Sequence, residues 1–257
     1  LVAEVKKRFD RRVRFLAGHA VSYAETIAYW PILELLLGWL DLGMSDPEAR
    51  TRLELRAELT RSLAEAGDEA YPLLANLLGL AIEPESEQRM RDLAPEAIHH
   101  QTFDWLYRLL RAIAQERPLC LVLEDLHWSD DATLSLLDRL LPAAEQDQIA
   151  FLLVHRSDPD HPAWHLVDRA RRRFRGLFFE LELEPLPEVD ARALAEADAG
   201  GELPKEFALV LAEDPEDDLA GLLRGQHREA LHRLDPAALA DRRPEAGKTK
   251  PRNGPPG

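Results

Sequence analysis

The chain has 257 residues, 46% of them apolar and 31% charged, enough for one sizeable α/β core with a small appendage and too apolar for a wholly disordered chain. A formal net charge of -15 argues against nucleic-acid phosphates or an anionic membrane face as the main partner, because both call for basic surface. The single cysteine, Cys120, sits in an apolar run and excludes an internal disulfide framework, which fits a reducing, cytoplasmic setting.

Residues 1–10 place Leu1, Val2, Val5 and Phe9 on one side at helical spacing, without the charged start and apolar stretch of a secretion signal. Because the first residue is Leu1 rather than Met, we expect the numbering to start inside a longer protein. A β-type run over 13–17 ends at Gly18. Pro31 stands at a first helical position, and Ile32, Leu35, Leu36, Trp39 and Leu40 follow it with the spacing of a wide apolar helix face. The apolar region 29–44 around it is broken by Glu34 and Asp41, and is too short and too charged to span a bilayer. Asp46-Pro47 opens another helix running to about Ala66. Residues 67–94 read as short helices and turns, punctuated by Pro72, Gly79 and Pro84.

After Pro95 a strong helix begins, with Phe103, Leu106, Leu110 and Ile113 on its buried face and Arg117-Pro118 as its stop. Residues 119–123 form a continuous apolar run without alternation, as expected of a central parallel strand buried on both faces. Ser129 and Asp130 are placed to cap the next helix, whose apolar face is Leu134, Leu137 and Leu141. Residues 149–154 are a second fully apolar strand. Residues 177–184 alternate, with Phe179, Leu181 and Leu183 opposite Glu180, Glu182 and Glu184, which predicts a half-exposed strand. Strands alternating with helices imply βαβ units and a mainly parallel α/β sheet with helices on both faces. No internal repeat stands out. From about Asp214 the pattern decays, and the end of the chain reads as a disordered tail.

The segment 119–131, LCLVLEDLHWSDD, carries the chemistry: a buried parallel strand ends in two adjacent acids, Glu124 and Asp125. Ligands of open α/β sheets bind outside the carboxyl ends of the strands. Two carboxylates there are costly unless a cation pairs with them, and magnesium, held by one or two carboxylates plus substrate phosphates, suits that place. The second acid can then orient the attacking water of a phosphoryl transfer. The plainer alternative is that both acids end a strand and solvate a loop.

The string LVLEDLHWSD resembles the second acidic motif of STAND-type ATPases, within the AAA+-like P-loop NTPases of bacterial multidomain regulators. Three further segments resemble the same family in order. RFLAGHAVSYAETIAYWPILELL (14–36) is similar to its second strand and the aromatic-Pro loop that follows. FLLVHRSDPDHPAW (151–164) is similar to its fourth strand and sensor segment, and FFELELEPLPEVDARAL (178–194) to its fifth strand and the step into the lid. The resemblance covers roughly residues 1–205. It implies that Glu124 holds Mg2+, that Asp125 positions water, and that Arg156 is a sensor arginine near the γ-phosphate of ATP. A solvated strand-end arginine is the alternative for Arg156. His127 and Trp128 match the motif without an assigned chemistry, and Trp128 is expected to pack the loop against a neighbouring helix.

No phosphate loop of the form G-x-x-x-x-G-K-[ST] occurs anywhere in the sequence. In the resembled family that loop runs into a helix much like LVAEVKKRF, with which this chain begins. We therefore expect the loop and the central first strand, which would lie between the 149–154 and 178–184 strands, to be encoded upstream. The chain as it stands is expected to bind ATP weakly or not at all.

The resemblance divides the chain into a truncated P-loop NTPase core (1–185), the start of a helical lid (186–213) and a divergent tail (214–257). It implies a regulatory ATPase switch coupled to other domains of the same polypeptide, a nucleotide-cyclase or a DNA-binding output domain, with nucleotide-dependent self-association. A non-catalytic relay or interaction module on a degraded NTPase fold, or a relic fragment, is the alternative. Two other clusters read as solvated surface. One is His155, Asp158, Asp160, His161 and His165, interrupted by Pro159 and Pro162. The other is the basic run Arg169, Arg171, Arg172, Arg173 and Arg175.

Overall fold

The computed structural model describes residues 2–21 and 27–183, with the isolated positions 187 and 190. Apart from those two positions, the expected lid and tail therefore lie outside the described residues. The chain divides into two units, Leu1–Glu180 and Leu181–Gly257, and the sheet belongs to the first.

Three parallel strands form the sheet: β1 (Arg14–His19), β2 (Leu119–Glu124) and β3 (Ile149–Leu153), in the order β1-β2-β3. All five residues from Leu119 to Leu123 are buried. Successive strand side chains point to opposite faces, so helices must cover both faces of β2. This is why the run carries no alternation. The register pairs His19 with Glu124 and Leu123 with Leu153, so all three strands end on one edge.

Nine helices are described: α1 (Val2–Phe9), α2 (Trp30–Trp39), α3 (Glu48–Leu63), α4 (Gly67–Leu77), α5 (Pro84–Arg91), α6 (Pro95–Glu116), α7 (Asp131–Leu140), α8 (Ala143–Gln146) and α9 (Pro162–Arg173). Proline opens α2, α5, α6 and α9 at a position whose N–H has no helical acceptor anyway. Pro72, expected to interrupt its segment, lies inside α4 instead. There the burial of Tyr71, Leu73, Leu74 and Ala75, in a helix that packs on α3 and α6, outweighs one lost backbone hydrogen bond. The expected buried face of α6 is in place, with Phe103, Leu106, Leu110 and Ile113 all in the core beside Leu109.

The expected strand over 149–154 is present as β3, one residue shorter, with Ile149 buried, Ala150 exposed and Phe151, Leu152 and Leu153 half-buried. Among the described residues β3, like β1, is an edge strand with no strand paired on its outer side. Two expectations need correction. The alternating stretch 177–183 forms no strand, and Phe179 is 92% exposed. A strand needs a neighbour for its backbone N–H and C=O groups, and no described strand stands beside it. The helix over 131–140 is capped by Asp130 alone, whose side chain accepts from the Thr133 N–H; Ser129 plays no such part.

Candidate functional site

The carboxyl edge of the sheet is held by backbone bonds on both sides of β2. Ala20 N–H donates to the Glu124 carbonyl at 2.9 Å, Val154 N–H to the Leu123 carbonyl at 2.9 Å, and Leu126 N–H to the Val154 carbonyl at 3.0 Å. Glu124 is the last residue of β2. Asp125 follows with φ 57° and ψ 38°, in the left-handed region. That conformation costs most L-residues energy but is tolerated by Asp, and it turns the chain sharply from strand into the 3-10 turn Leu126–Trp128. The turn is closed by Trp128 N–H to the Asp125 carbonyl at 2.8 Å and lies against α9. The two acids are thus mounted on rigid backbone rather than on a free loop.

Glu124 does not stand alone. His19, its register partner at the end of β1, brings Nε2 to 3.3 Å from Glu124 Oε1. The same imidazole places Nδ1 3.0 Å from Glu34 Oε2, and the His19 backbone N–H donates to that oxygen at 2.8 Å. Both ring nitrogens face carboxylates, which accept only, so both must carry hydrogen and the ring is an imidazolium. The hydrogen bond to Glu124, then that to Glu34, raises the His19 pKa from 6.5 to about 9 against the opposing effect of burial. Sequence reasoning missed both residues. Glu34 was noted only as a break in an apolar stretch, although an acid on an otherwise apolar helix face calls for a cationic partner.

Asp130 ties two further elements together. Its Oδ1 accepts from Thr133 N–H at 2.9 Å and its Oδ2 from Tyr29 N–H at 3.1 Å, and the Thr133 hydroxyl also bonds to it. Tyr29 precedes α2 with φ 65°, and its ring meets Phe103 edge-on at 5.9 Å. One carboxylate therefore caps α7 and anchors the start of α2 across 101 residues of sequence.

Arg156 is exposed, the third residue after β3, on the loop that leaves the same edge of the sheet. The other candidates fall into local roles. His161 caps α9 by accepting from Ala163 N–H at 3.1 Å, and Asp158 accepts from Asp160 N–H at 3.0 Å. His155 meets the Trp164 ring at 5.9 Å. In the basic run, Arg169 pairs with Asp138, Arg171 with Asp168 and Glu180, and Arg172 with Asp168, which makes this part of the run a solvated ion-pair surface. A cleft of about 270 Å³ lined by Arg14, Phe15 and Trp39 opens where β1 begins, the edge opposite to the one α/β sheets use for ligands.

A family model described as AAA ATPase domain matches residues 1–154, from α1 to the residue after β3. The chain belongs to the AAA ATPase domain family. No curated protein and no solved structure matches it. Membership makes the chain a nucleotide-binding, ATPase-type module, and ATP with Mg2+ is what such domains use in general. The observed sheet, parallel and flanked by helices, agrees with a P-loop NTPase-like fold. Arg156 lies two residues beyond the matched range and the 177–183 stretch further still.

The residues at the edge suit magnesium in one respect. The donors are hard carboxylate oxygens at the carboxyl end of a central strand. Among the described residues no three His, Cys, Asp or Glu side chains converge into a self-sufficient metal site, so an ion here would depend on nucleotide oxygens for most of its shell. No described helix is long and apolar enough to cross a membrane.

Proposed function

We propose that this chain supplies the metal-and-water side of a regulatory ATPase switch in a larger signalling or transcription-regulating protein of the cytoplasm. Glu124 holds the Mg2+ of Mg-ATP, Asp125 orients the attacking water, and Arg156 reads the γ-phosphate from the loop after β3. The supporting observation is the placement of Glu124 and Asp125 on backbone locked between β1 and β3 at the carboxyl edge of a buried central strand. Phosphoryl transfer is mostly positioning and charge stabilisation, and rigid carboxylates at that edge supply both. Output domains of the same polypeptide, nucleotide-dependent self-association and a helical lid after residue 185 belong to the same proposal.

A second reading, a relay module without catalysis, is favoured by one observation: the 257 residues contain no glycine-rich phosphate loop. Under the first reading this chain alone binds Mg-ATP weakly or not at all. Calorimetry with Mg-ATP on this chain, and on a version extended upstream to include any phosphate loop, separates the two. Tight binding by the extended protein, abolished by Glu124→Gln and with hydrolysis lost in Asp125→Asn, supports the switch. Absence of binding by either protein leaves the relay.

A further inference from the structure

The ion pair between β1 and β2 has a form that suits one task. His19 is gripped by Glu34 twice, at its backbone N–H and at Nδ1, and presents Nε2 to Glu124 Oε1. Three elements meet at this point: the end of β1, the second turn of α2 and the end of β2. Gly18 makes the meeting possible. It lets the Pro31 backbone lie against β1, and the next turn of α2 brings Glu34 onto His19. Glu124 and His19 side chains are 20% and 35% exposed, so the pair is partly shielded from water and its geometry is held more firmly than a surface ion pair would be. A glutamate that ends a strand can turn about three side-chain torsions; a donor fixed from behind restricts that freedom.

We infer that His19, held by Glu34, is a positioning residue that sets the direction of the Glu124 carboxylate for metal binding. The inference rests on the reading of Glu124 as the Mg2+ ligand. Ligating carboxylates are commonly hydrogen-bonded in turn, and loss of such a partner typically weakens metal binding by about 10–100-fold. His19 does not touch the metal. It acts through one oxygen of Glu124, and Glu34 acts through His19.

The test uses Mn2+ as a paramagnetic probe of the full 257-residue chain in the presence of ATP. Metal occupancy is read from line broadening of the methyl resonances around Leu123 and Leu126. His19→Ala and Glu34→Gln are each expected to raise the half-saturating Mn2+ concentration about tenfold. His19→Arg, which keeps donors for both carboxylates, is expected to return it to within about threefold of the starting protein. Glu34→Gln preserves volume, and a thermal melt of each variant separates loss of direction from loss of fold. Glu124→Gln is the reference for no site. If Glu124→Gln abolishes broadening while His19→Ala and Glu34→Gln leave the midpoint unchanged, the positioning role is overturned and the metal reading stands. A folded His19→Arg that binds as poorly as His19→Ala also overturns it. If the unmutated chain broadens no more than Glu124→Gln at millimolar Mn2+ and ATP, this chain holds no metal through Glu124 and the inference is overturned, while the reading of Glu124 in the extended protein is decided by the calorimetry above.

Discussion

Pro31 lies so close to Gly18 that a Cβ at position 18 would stand 1.9 Å from the Pro31 carbonyl oxygen and 2.7 Å from its carbonyl carbon. The obstruction is backbone, which cannot rotate away. Gly18→Ala must therefore push α2 off β1, at a cost of about 1–3 kcal/mol or more. Gly38, on the exposed side of α2, has nothing within 4 Å of its would-be Cβ. Gly38→Ala is expected to be neutral or stabilising by about 0.5–1 kcal/mol, since Ala is the better helix former. Urea unfolding of the two variants reads the difference directly; equal stabilities would mean that the contact yields cheaply.

Asp125 combines a carboxylate with φ 57°, a conformation that glycine adopts freely and alanine resists. Asp125→Gly and Asp125→Ala both delete the carboxylate, so whatever the side chain contributes is lost equally. The glycine variant is expected to be more stable by about 1 kcal/mol. Differential scanning calorimetry of the pair decides it. An alanine variant at least as stable as the glycine one would show that the turn relaxes when the side chain goes.

Asp130→Ala removes the cap of α7 and the acceptor for the Tyr29 N–H in one step. A lost cap costs about 0.5–2 kcal/mol, and the orphaned Tyr29 N–H adds to it. Amide hydrogen exchange is expected to rise at Thr133 and at Tyr29 together, although 104 residues separate them in the sequence. Faster exchange at Thr133 alone would mean that the tie to α2 carries little.

The His19 pair makes stability depend on pH in a definite direction. The pKa of about 9 in the folded chain lies above the ordinary 6.5, so the folded state holds this proton more tightly than the unfolded one. The stabilisation is fully present below pH 6.5 and is lost as pH rises to 9 and beyond. Between pH 6 and pH 9.5 the melting temperature is expected to fall further in the unmutated chain than in His19→Gln. Identical pH dependence in both would remove the bridge from the account.

Cys120 is buried in β2, and burial pushes its thiol up to about 11, with Lys6 opposing the shift slightly. The thiolate is the reactive form, so a thiol reagent at pH 8 is expected to leave the folded chain unmodified and to label it on unfolding in urea. Fast stoichiometric labelling of the native chain would contradict the burial.

Much of this was legible in the sequence, and the reason is local. A run of five apolar residues between a helix stop and two acids can satisfy its backbone and its side chains only as a strand covered on both faces, and β2 is that strand. The periodicity of residues 103–113 commits them to one buried face whatever lies opposite, and prolines mark helix starts because φ is fixed in the ring. The acids at 124 and 125 follow from the same segment. What lay beyond was decided by pairing between distant parts of the chain. Nothing local says that His19 and Glu124 share a register, because register is set by which strands adjoin, nor that Glu34 reaches both. The 149–153 and 177–183 stretches have the composition of strands, yet one is an uncovered edge and the other forms no strand. A strand's burial and its very existence depend on neighbours that its own residues cannot supply.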